Sequence, residues 1–340
     1  MADLQTSWLG LTLKSPLVVA ASPISRDPDA AAQAEAAGAG AIVMHSLFEE
    51  QLVQEQMAAH HFVDQLADSN AEAPSFLPCS DLFSMDSEGM VAELKALRQR
   101  LAIPVVASLN GSTPGGWTRY AARLADAGAS AIELNLYDVA STSAESGADM
   151  ERRQLDVVAA VVAAVPIPVG VKISPFYASV PAFVRQLERV GACGVTVFNR
   201  FYDPVVDLDA LAVRRSLGPS SPAELPLRLH ALAILSSTSP ALSLACSGGV
   251  HTGEDAARAI LCGAHVVQVA SALLAHGPAR IGGLREGLQR WLDGKGYTAS
   301  AAARGVLGLA KAEDPSVWTR LNYIRSLDTW RERAPWSTRR

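Results

Sequence analysis

The stretch Leu242–Leu274, LSLACSGGVHTGEDAARAILCGAHVVQVASALL, decides the fold of this chain. It predicts an apolar strand, a Gly-Gly turn, a helix that begins at Thr252, and a second apolar strand that ends at Ala270-Ser271. Gly248 and Gly249 leave backbone N–H groups bare beside the start of the helix. Phosphate binds at such places, because the unpaired amides and the positive end of the helix both face the anion.

A second turn, at 270–272, follows the next strand and is expected to close over the same anion. In an eightfold β/α barrel, the loops after the last two strands often form such a phosphate site. We therefore predict that this part of the chain anchors a phosphorylated cofactor. The alternative is that both are ordinary turns between strand and helix, in which the glycines only permit a tight bend.

Short apolar runs alternate with segments of helical periodicity along the chain, which is the pattern of repeated βα units around a parallel sheet. Six apolar runs before the opening stretch are predicted strands, and they are Leu17–Ala20, Ala41–Met44, Ile103–Leu109, Ala131–Leu134, Pro168–Ile173 and Gly194–Phe198. The two strands of the opening stretch bring the number to eight. The count predicts an α/β fold of the (β/α)8 TIM barrel type. A doubly wound sheet would place its glycine turn after the first strand and not after the seventh.

We expect one domain over residues 1–340, with the barrel at about 5–295 and a helical extension at 296–340. Between the second strand and about Ser87 the periodicity is lost in a long polar insertion, and loops of that length usually have a function or are mobile. Within it, His60-His61 has no further ligands at metal-binding spacing, so the sequence predicts a solvated helix face and no metal.

The net charge is −5, with no basic block before the last dozen residues, which argues against nucleic acid as a partner. The four cysteines lack metal-ligand spacing, and Cys193 and Cys246 are predicted to be small buried hydrophobic residues. The N-terminus has no secretory leader and no apolar run is long enough to span a bilayer. We therefore expect a soluble, cytoplasmic protein with no membrane partner.

Active sites of such barrels lie at the C-terminal ends of the strands. The residues at the predicted strand ends comprise one cation, three amides and several small residues. Such a set suits a flat heterocycle that hydrogen bonds hold at its edge. Lys172 needs an anion or an electron-rich partner there, unless it extends to solvent or pairs with Glu133. The strands deliver Ala21-Ser22, His45-Ser46, Asn110, Asn135, Lys172, Asn199, Gly248-Gly249 and Ala270-Ser271.

Seven segments occur in a specific order, and they are SPLVVAAS, PVVASLNG, AIELN, PVGVKISP, GVTVFNR, SGGV and VQVAS. In this order and spacing the chain resembles the dihydroorotate dehydrogenase family of FMN-dependent barrels, and more closely the bacterial dihydroorotate dehydrogenase-like proteins. The resemblance covers roughly residues 5–295. It implies bound FMN, an oxidoreductase that acts on CH–CH groups in pyrimidine biosynthesis, a small-molecule substrate and a homodimer.

The resemblance also implies a role for each delivered residue. Lys172 would lie near the N1/O2 edge of the flavin, where its charge favours the negative charge of the reduced ring and raises the redox potential. Lys172 and Asp138 would be the catalytic residues. The cofactor-binding set would be Ala21 and Ser22 along the flavin; Ser46, Asn135, Lys172 and Asn199 at the ring edge or substrate; Asn110; and Gly248, Gly249, Ala270 and Ser271 at the phosphate.

Three departures from the family are visible. His45 stands where the family has a lysine before Ser46, and no Asn-x-Met-Gly-Leu run occurs in Glu50–Ser87. After Asn135 the family has Ser-Cys-Pro-Asn, whose cysteine is the base, and here Tyr137-Asp138-Val139-Ala140 places Asp138 at that position. Asp138 would serve as the base in a closed, dry site. Otherwise it is a solvated loop residue.

The sequence thus favours an FMN oxidoreductase that transfers hydride between a small cyclic substrate and flavin N5. The substrate stays open among dihydroorotate, another cyclic amide and an enone-like compound. A phosphate-binding lyase or isomerase without flavin fits the glycine turns equally. A third alternative is a barrel, with or without flavin, that now serves only binding or assembly.

Overall fold

A computed structural model describes residues 1–48, 87–111, 114–200, 204–214 and 218–333 of the chain. Eight parallel strands in this part close into a barrel in which sequential strands are neighbours and the last pairs with the first. The predicted TIM barrel is confirmed. Its strands are β1 (Leu17–Val19), β2 (Ala41–Phe48), β3 (Val105–Asn110), β4 (Ala131–Asn135), β5 (Val169–Ile173), β6 (Gly194–Val197), β7 (Ser243–Ser247) and β8 (Val266–Val269).

Helices cover the outside of the barrel, so that side chains on both faces of most strands are buried. This burial explains why the strands are continuous apolar runs and do not alternate with polar residues. The helices after β1 to β8 are Pro28–Ala36, Ser87–Arg100, Pro114–Asp126, Gly147–Ala164, Val180–Arg189, Leu225–Thr238, Gly253–Leu261 and the pair Ser271–His276 and Arg280–Gly294.

The observed bounds of several elements differ from those that the sequence predicts. Strand β2 continues to Phe48 instead of ending at Met44, because Ser46 and Phe48 pair with Ser108 and Asn110 of β3 after a shift in register. The helix after β4 begins at Gly147, since the Ser146 hydroxyl accepts the N–H of Asp149 and caps the first turn.

An N-terminal hairpin, Thr6–Trp8 and Leu11–Leu13, closes the end of the barrel opposite the C-terminal ends of the strands. Its turn residue Leu9 is 1% exposed and lies against two strand glycines. A Cβ added at Gly170 or Gly194 would come within 2.9 or 2.6 Å of Leu9 Cδ2. The two glycines therefore make room for the leucine that plugs the barrel.

After the last barrel helix the described chain continues in three short elements, Ser300–Ala303, Pro315–Trp318 and Leu321–Arg333. A small exposed hairpin, Val205–Asp207 and Ala212–Arg214, lies in the segment after β6, which the sequence leaves irregular. The insertion before Ser87, with His60-His61, lies outside the described residues. The division into barrel and tail within one domain stays a prediction.

Cys193 corrects one expectation. The sequence predicts a buried thiol, and Cys246 and Cys262 are buried, but Cys193 is exposed because it precedes β6 at the outer rim of the barrel. Among the described helices, none is long and apolar enough to cross a membrane.

We predict that Leu9→Ala destabilises the chain by about 2–5 kcal/mol, because it opens a cavity in a well-packed plug. Urea unfolding followed by circular dichroism measures this loss. The control is Leu208→Ala, since Leu208 is 80% exposed in the small hairpin and should cost less than about 0.5 kcal/mol. Equal losses for the two variants would contradict the role of Leu9 as a plug.

Candidate active site

A cavity of about 640 Å³ opens at the C-terminal ends of the strands, and residues at the ends of all eight strands line it. Of the predicted site residues, only Gly249 and Asp138 do not line its wall. The predicted residues that do line it are Ala21, Ser22, Ser46, Asn110, Asn135, Lys172, Asn199, Gly248, Ala270 and Ser271.

The strand register brings the polar residues together. Asn110, Asn135 and Lys172 are direct partners on β3, β4 and β5, so that their side chains lie in one row. The Asn135 amide donates to Ser46 Oγ at 2.7 Å and to Ser108 Oγ at 3.2 Å, and the two hydroxyls are 2.8 Å apart. Asn135 Oδ1 is buried without a hydrogen-bond partner in the described structure. A ligand that donates a hydrogen bond would satisfy it.

Lys172 lies at the floor of the cavity above a buried carboxylate. Its side chain is 9% exposed, and its Nζ is 3.8 Å from Glu133 Oε1 and 3.4 Å from Gln268 Oε1. Glu133 Oε2 accepts hydrogen bonds from Thr196 Oγ1, at 3.0 Å, and from the Gln268 amide. Lys172 thus pairs with Glu133 and also lines the cavity, and its role toward a flavin stays a prediction. The pair keeps a positive charge at a nearly dry position.

At the predicted phosphate turn, Gly248 and Gly249 adopt φ angles of +96° and +78° that favour glycine. The expectation that both amides are bare is wrong for Gly249. Its N–H donates to Ser220 Oγ at 3.1 Å, and Ser220 Oγ also donates to Ser271 Oγ at 2.9 Å. The segment 218–220 folds over the turn from a distant part of the chain, and no local pattern predicts that contact.

The predicted helix start at Thr252 is confirmed. Thr252 Oγ1 accepts the N–H of Asp255 at 3.2 Å, and Asp255 accepts the N–H groups of His251 and Thr252. This capping box satisfies amides of the first turn within the helix itself. An anion at this end of the cavity would therefore depend on the remaining amides and on charged side chains.

Comparison with known proteins agrees with this geometry. A family model described as dihydroorotate dehydrogenase matches residues 3–292. The chain belongs to the dihydroorotate dehydrogenase family. Members of this family are FMN-dependent oxidoreductases that act on CH–CH groups, and the chain is an oxidoreductase of this type.

Two relatives show the extent of the similarity. The catalytic subunit of dihydroorotate dehydrogenase B (NAD(+)) of Pyrococcus abyssi is 27% identical over 90% of this chain and 99% of its own length. The subunit of the same name in Methanosarcina mazei is 29% identical over 85% of this chain and 90% of its own length. Both alignments span the barrel, so the similarity is not confined to one motif.

The cavity fits FMN on three observations. Ser22 Oγ and Asn135 Oδ1 are buried on its wall without a hydrogen-bond partner among the described residues. The polar residues at the strand ends and Lys172 line the same cavity as Gly248. A Cβ added at Gly248 would approach Arg228 Nη2 to 3.0 Å, so glycine keeps the backbone of the turn open.

His45, where the family has lysine, is buried in a polar contact with Ser25 and Glu93. Its backbone N–H donates to Ser25 Oγ at 2.7 Å, and its Nδ1 is 3.6 Å from Glu93 Oε2. Such a carboxylate would favour a charged imidazole, but burial has the larger effect and, with Arg26 nearby, lowers the pKa of His45 to about 4. Burial also raises the pKa of Glu93. Near neutral pH the family's lysine is thus replaced by an uncharged ring.

Asp138, at the family's base position, forms an ion pair with Arg153, whose Nη1 is 2.8 Å from Asp138 Oδ2. Arg153 also binds Glu145 at 3.0 Å, and both acidic groups raise the pKa of Arg153. Its neighbour Tyr137 lines the cavity and Asp138 does not. The catalytic role of Asp138 therefore stays a prediction.

Several wall residues are absent from the sequence prediction, namely Arg26, Phe198, Arg200, Ser220, Arg228 and Gln268. The sequence could have indicated Gln268, since it is the one polar residue in the apolar run that forms β8. No sequence pattern indicates Ser220, because it lies in an irregular segment after β6.

We predict that Lys172→Met weakens FMN binding by roughly tenfold to a hundredfold and lowers the reduction potential of bound flavin, because a buried positive charge is lost. Fluorescence titration and spectroelectrochemistry measure the two effects. Lys14→Met is the matched control, since Lys14 also pairs with a glutamate, at 4.0 Å, but is 57% exposed. Unchanged affinity and potential in Lys172→Met would remove Lys172 from the site.

We predict that the chain loses stability as the pH falls from 6.5 toward 4. The unfolded chain protonates His45 near its ordinary pKa of 6.5, whereas the folded chain does so only at about 4, so protons favour unfolding across this window. The contribution of His45 to the free energy of unfolding is fully present above pH 6.5, is lost as the pH falls toward 4, and amounts to roughly 3 kcal/mol at most.

Melting temperatures between pH 7 and 4.5 check this expectation. His265, whose pKa burial also lowers to about 4, adds a similar slope. His45→Gln should therefore reduce the slope without abolishing it, and His276→Gln, at an exposed position, should leave it unchanged. A wild-type slope in His45→Gln would contradict a neutral, buried His45.

Proposed function

We propose that the chain transfers hydride between FMN and a small cyclic, dihydropyrimidine-like substrate. The observation that carries the proposal is the convergence, in one cavity, of a buried lysine, amide donors and a glycine turn from separate strands. FMN, when bound, supplies a two-electron acceptor at N5 of its ring. The protein's own residues bind and orient the ring, keep water from it and handle the accompanying proton.

Ring binding is proposed for the residues that the sequence selects. Asn135 presents an unsatisfied carbonyl oxygen, Ser22 presents an unsatisfied hydroxyl, and Lys172 presents a positive charge above Glu133. A charge fixed by a buried partner requires little rearrangement when electrons arrive, which favours the reduced ring. Ala21, Ser46, Asn110 and Asn199 complete this end, with Gly248, Gly249, Ala270 and Ser271 proposed at the phosphate.

The proton is proposed to move to Asp138. Asp138 pairs with Arg153 in this structure, and a carboxylate is a side chain that can accept a proton from a substrate. To reach a substrate in the cavity, the carboxylate must turn from Arg153 toward the wall that Tyr137 lines. The proposal thus includes a change in the loop after β4 when substrate binds.

The substrate is proposed to be related to dihydroorotate and to differ from it. Neutral His45 replaces the family's lysine, and the Asn-x-Met-Gly-Leu run of the family is missing from Glu50–Ser87. Both changes fall on groups that, by the resemblance, contact substrate. A cyclic amide or enone-like compound without the same anionic substituent would suit a neutral imidazole better.

The visible spectrum of the purified protein, with and without added FMN, tests the cofactor. Flavin absorbance bands are expected, and a colourless preparation that takes up no FMN would favour the phosphate-binding lyase or isomerase. Anaerobic titration with dihydroorotate, dihydrouracil and related cyclic amides tests the reaction, because a substrate bleaches the flavin. No bleaching by any compound would favour a flavin barrel that only binds or assembles.

We predict that Asp138→Asn lowers kcat at least a hundredfold and leaves FMN content unchanged, because the amide cannot accept the substrate proton. Stopped-flow reduction by the substrate found above measures it. Glu145→Gln is the matched control, since Glu145 pairs with the same Arg153 and should retain activity. Retained turnover in Asp138→Asn would exclude Asp138 as the base.

We also propose that the protein is a cytoplasmic homodimer, because closed two-fold dimers are the commonest soluble oligomers and the family resemblance agrees. Light scattering of the purified holoprotein measures the mass. A monomer at micromolar concentration would contradict the dimer.

A further inference from the structure

A buried arginine stands beside the predicted phosphate turn. Arg228, on the helix Leu225–Thr238, has a side chain that is 7% exposed and that lines the cavity next to Gly248. Its Nε donates to Ser247 O at 3.1 Å, its Nη1 to Glu224 O at 2.9 Å and its Nη2 to Glu224 Oε2 at 3.3 Å. A guanidinium has five N–H donors, so these three bonds leave two without an acceptor in the described structure.

A second arginine shares the same carboxylate. Arg200, after β6, donates from Nη1 to Glu224 Oε1 at 3.1 Å, and its buried Nε has no hydrogen-bond partner among the described residues. It also lines the cavity, and its Nη2 would be 3.6 Å from a Cβ at Gly218. Glu224 thus bridges two guanidinium groups, one on each of its oxygens.

Among the residues that the structure describes, the charges of this group do not balance. Two arginines face one glutamate there, which leaves one positive charge at a half-buried position. Burial lowers the pKa of Arg228, and the carboxylate of Glu224 acts in the opposite direction. Asp255, on the helix after the glycine turn, caps its own helix and pairs with Arg258 at 2.6 Å. A buried positive charge with spare donors requires an anion.

The neutral donors at this end are partly used. Ser220 occupies the Gly249 N–H, and the capping box of Thr252 and Asp255 occupies amides of the next helix. A phosphate here would therefore receive fewer backbone hydrogen bonds than the sequence alone predicts. The unbalanced guanidinium pair lies on the same side of the cavity and is able to supply the difference.

We propose that Arg228 and Arg200, bridged by Glu224, form a charged clamp for the terminal phosphate of the cofactor and make the chain select FMN over unphosphorylated riboflavin. The inference rests on the proposed flavin site and adds to it the residues that read the phosphate. FMN and riboflavin share the isoalloxazine ring and differ in the phosphate. The clamp should therefore strengthen the binding of FMN and leave the binding of riboflavin unchanged.

The test titrates flavin-free protein with FMN and with riboflavin and follows the quenching of flavin fluorescence. In Arg228→Met the Kd for FMN should rise roughly ten- to a hundredfold while that for riboflavin changes less than about threefold. Arg200→Met should act in the same direction, and Arg228→Lys should retain part of the selectivity. Arg185→Met is the control, because Arg185 is 55% exposed, pairs with Glu188 at 3.2 Å and does not line the cavity.

Equal losses for FMN and riboflavin in both methionine variants would overturn the clamp, because a merely structural role weakens both flavins alike. If Arg228→Met does not fold, the ratio measured in Arg200→Met decides. A second experiment uses inorganic phosphate in place of flavin. Phosphate should raise the melting temperature of the wild-type protein more than that of Arg228→Met or Arg200→Met. Wild type that binds phosphate but no flavin would refute the proposed function and retain the anion site, whereas flavin binding that ignores both arginines would refute only the clamp.

Discussion

Closure of eight parallel strands into one hydrogen-bonded ring is the constraint on which the site depends. The pairing of β3, β4 and β5 places Asn110, Asn135 and Lys172 side by side, and each is a residue at or near the end of its strand. A slip of one residue in any pair would turn one of these side chains outward. The ring thus converts positions separated along the chain into one cavity wall.

The interior of the ring is layered by polarity. Leu9 and its apolar neighbours close the lower end, and above them Glu133, Thr196, Gln268 and Lys172 form a hydrogen-bonded layer that is nearly dry. Without the plug, water would reach Glu133 from below and weaken its hold on the lysine charge. The stability of the lower end and the electrostatics of the cavity floor are therefore linked through the same few residues.

Charged side chains of two kinds line the cavity among the described residues. Lys172 has a buried partner, and Arg200 and Arg228 share one carboxylate. His45, which also lines the cavity, is kept neutral by burial. The proposed function interprets this neutral ring as the loss of a charge that the family resemblance implies at this position. This redistribution is the physical basis for proposing a common cofactor with a different substrate.

The sequence by itself determined the barrel, because apolar runs separated by helical periodicity are a local signal that repeats eight times. It also determined the residues at the strand ends, since a parallel barrel delivers them all to the same rim. The sequence did not determine where every element ends. Strand β2, for example, continues beyond its predicted end because it pairs with β3.

Only the tertiary structure decided which of those residues are free to bind. Ser220 reaches the Gly249 amide from 29 residues away, Arg228 enters the cavity wall from an outer helix, and Arg153 holds Asp138. Each of these is a contact between segments distant in sequence, and no local periodicity encodes it. The physical reason is that hydrogen bonds and ion pairs are satisfied in space, whereas a sequence pattern reports only which face of an element is buried.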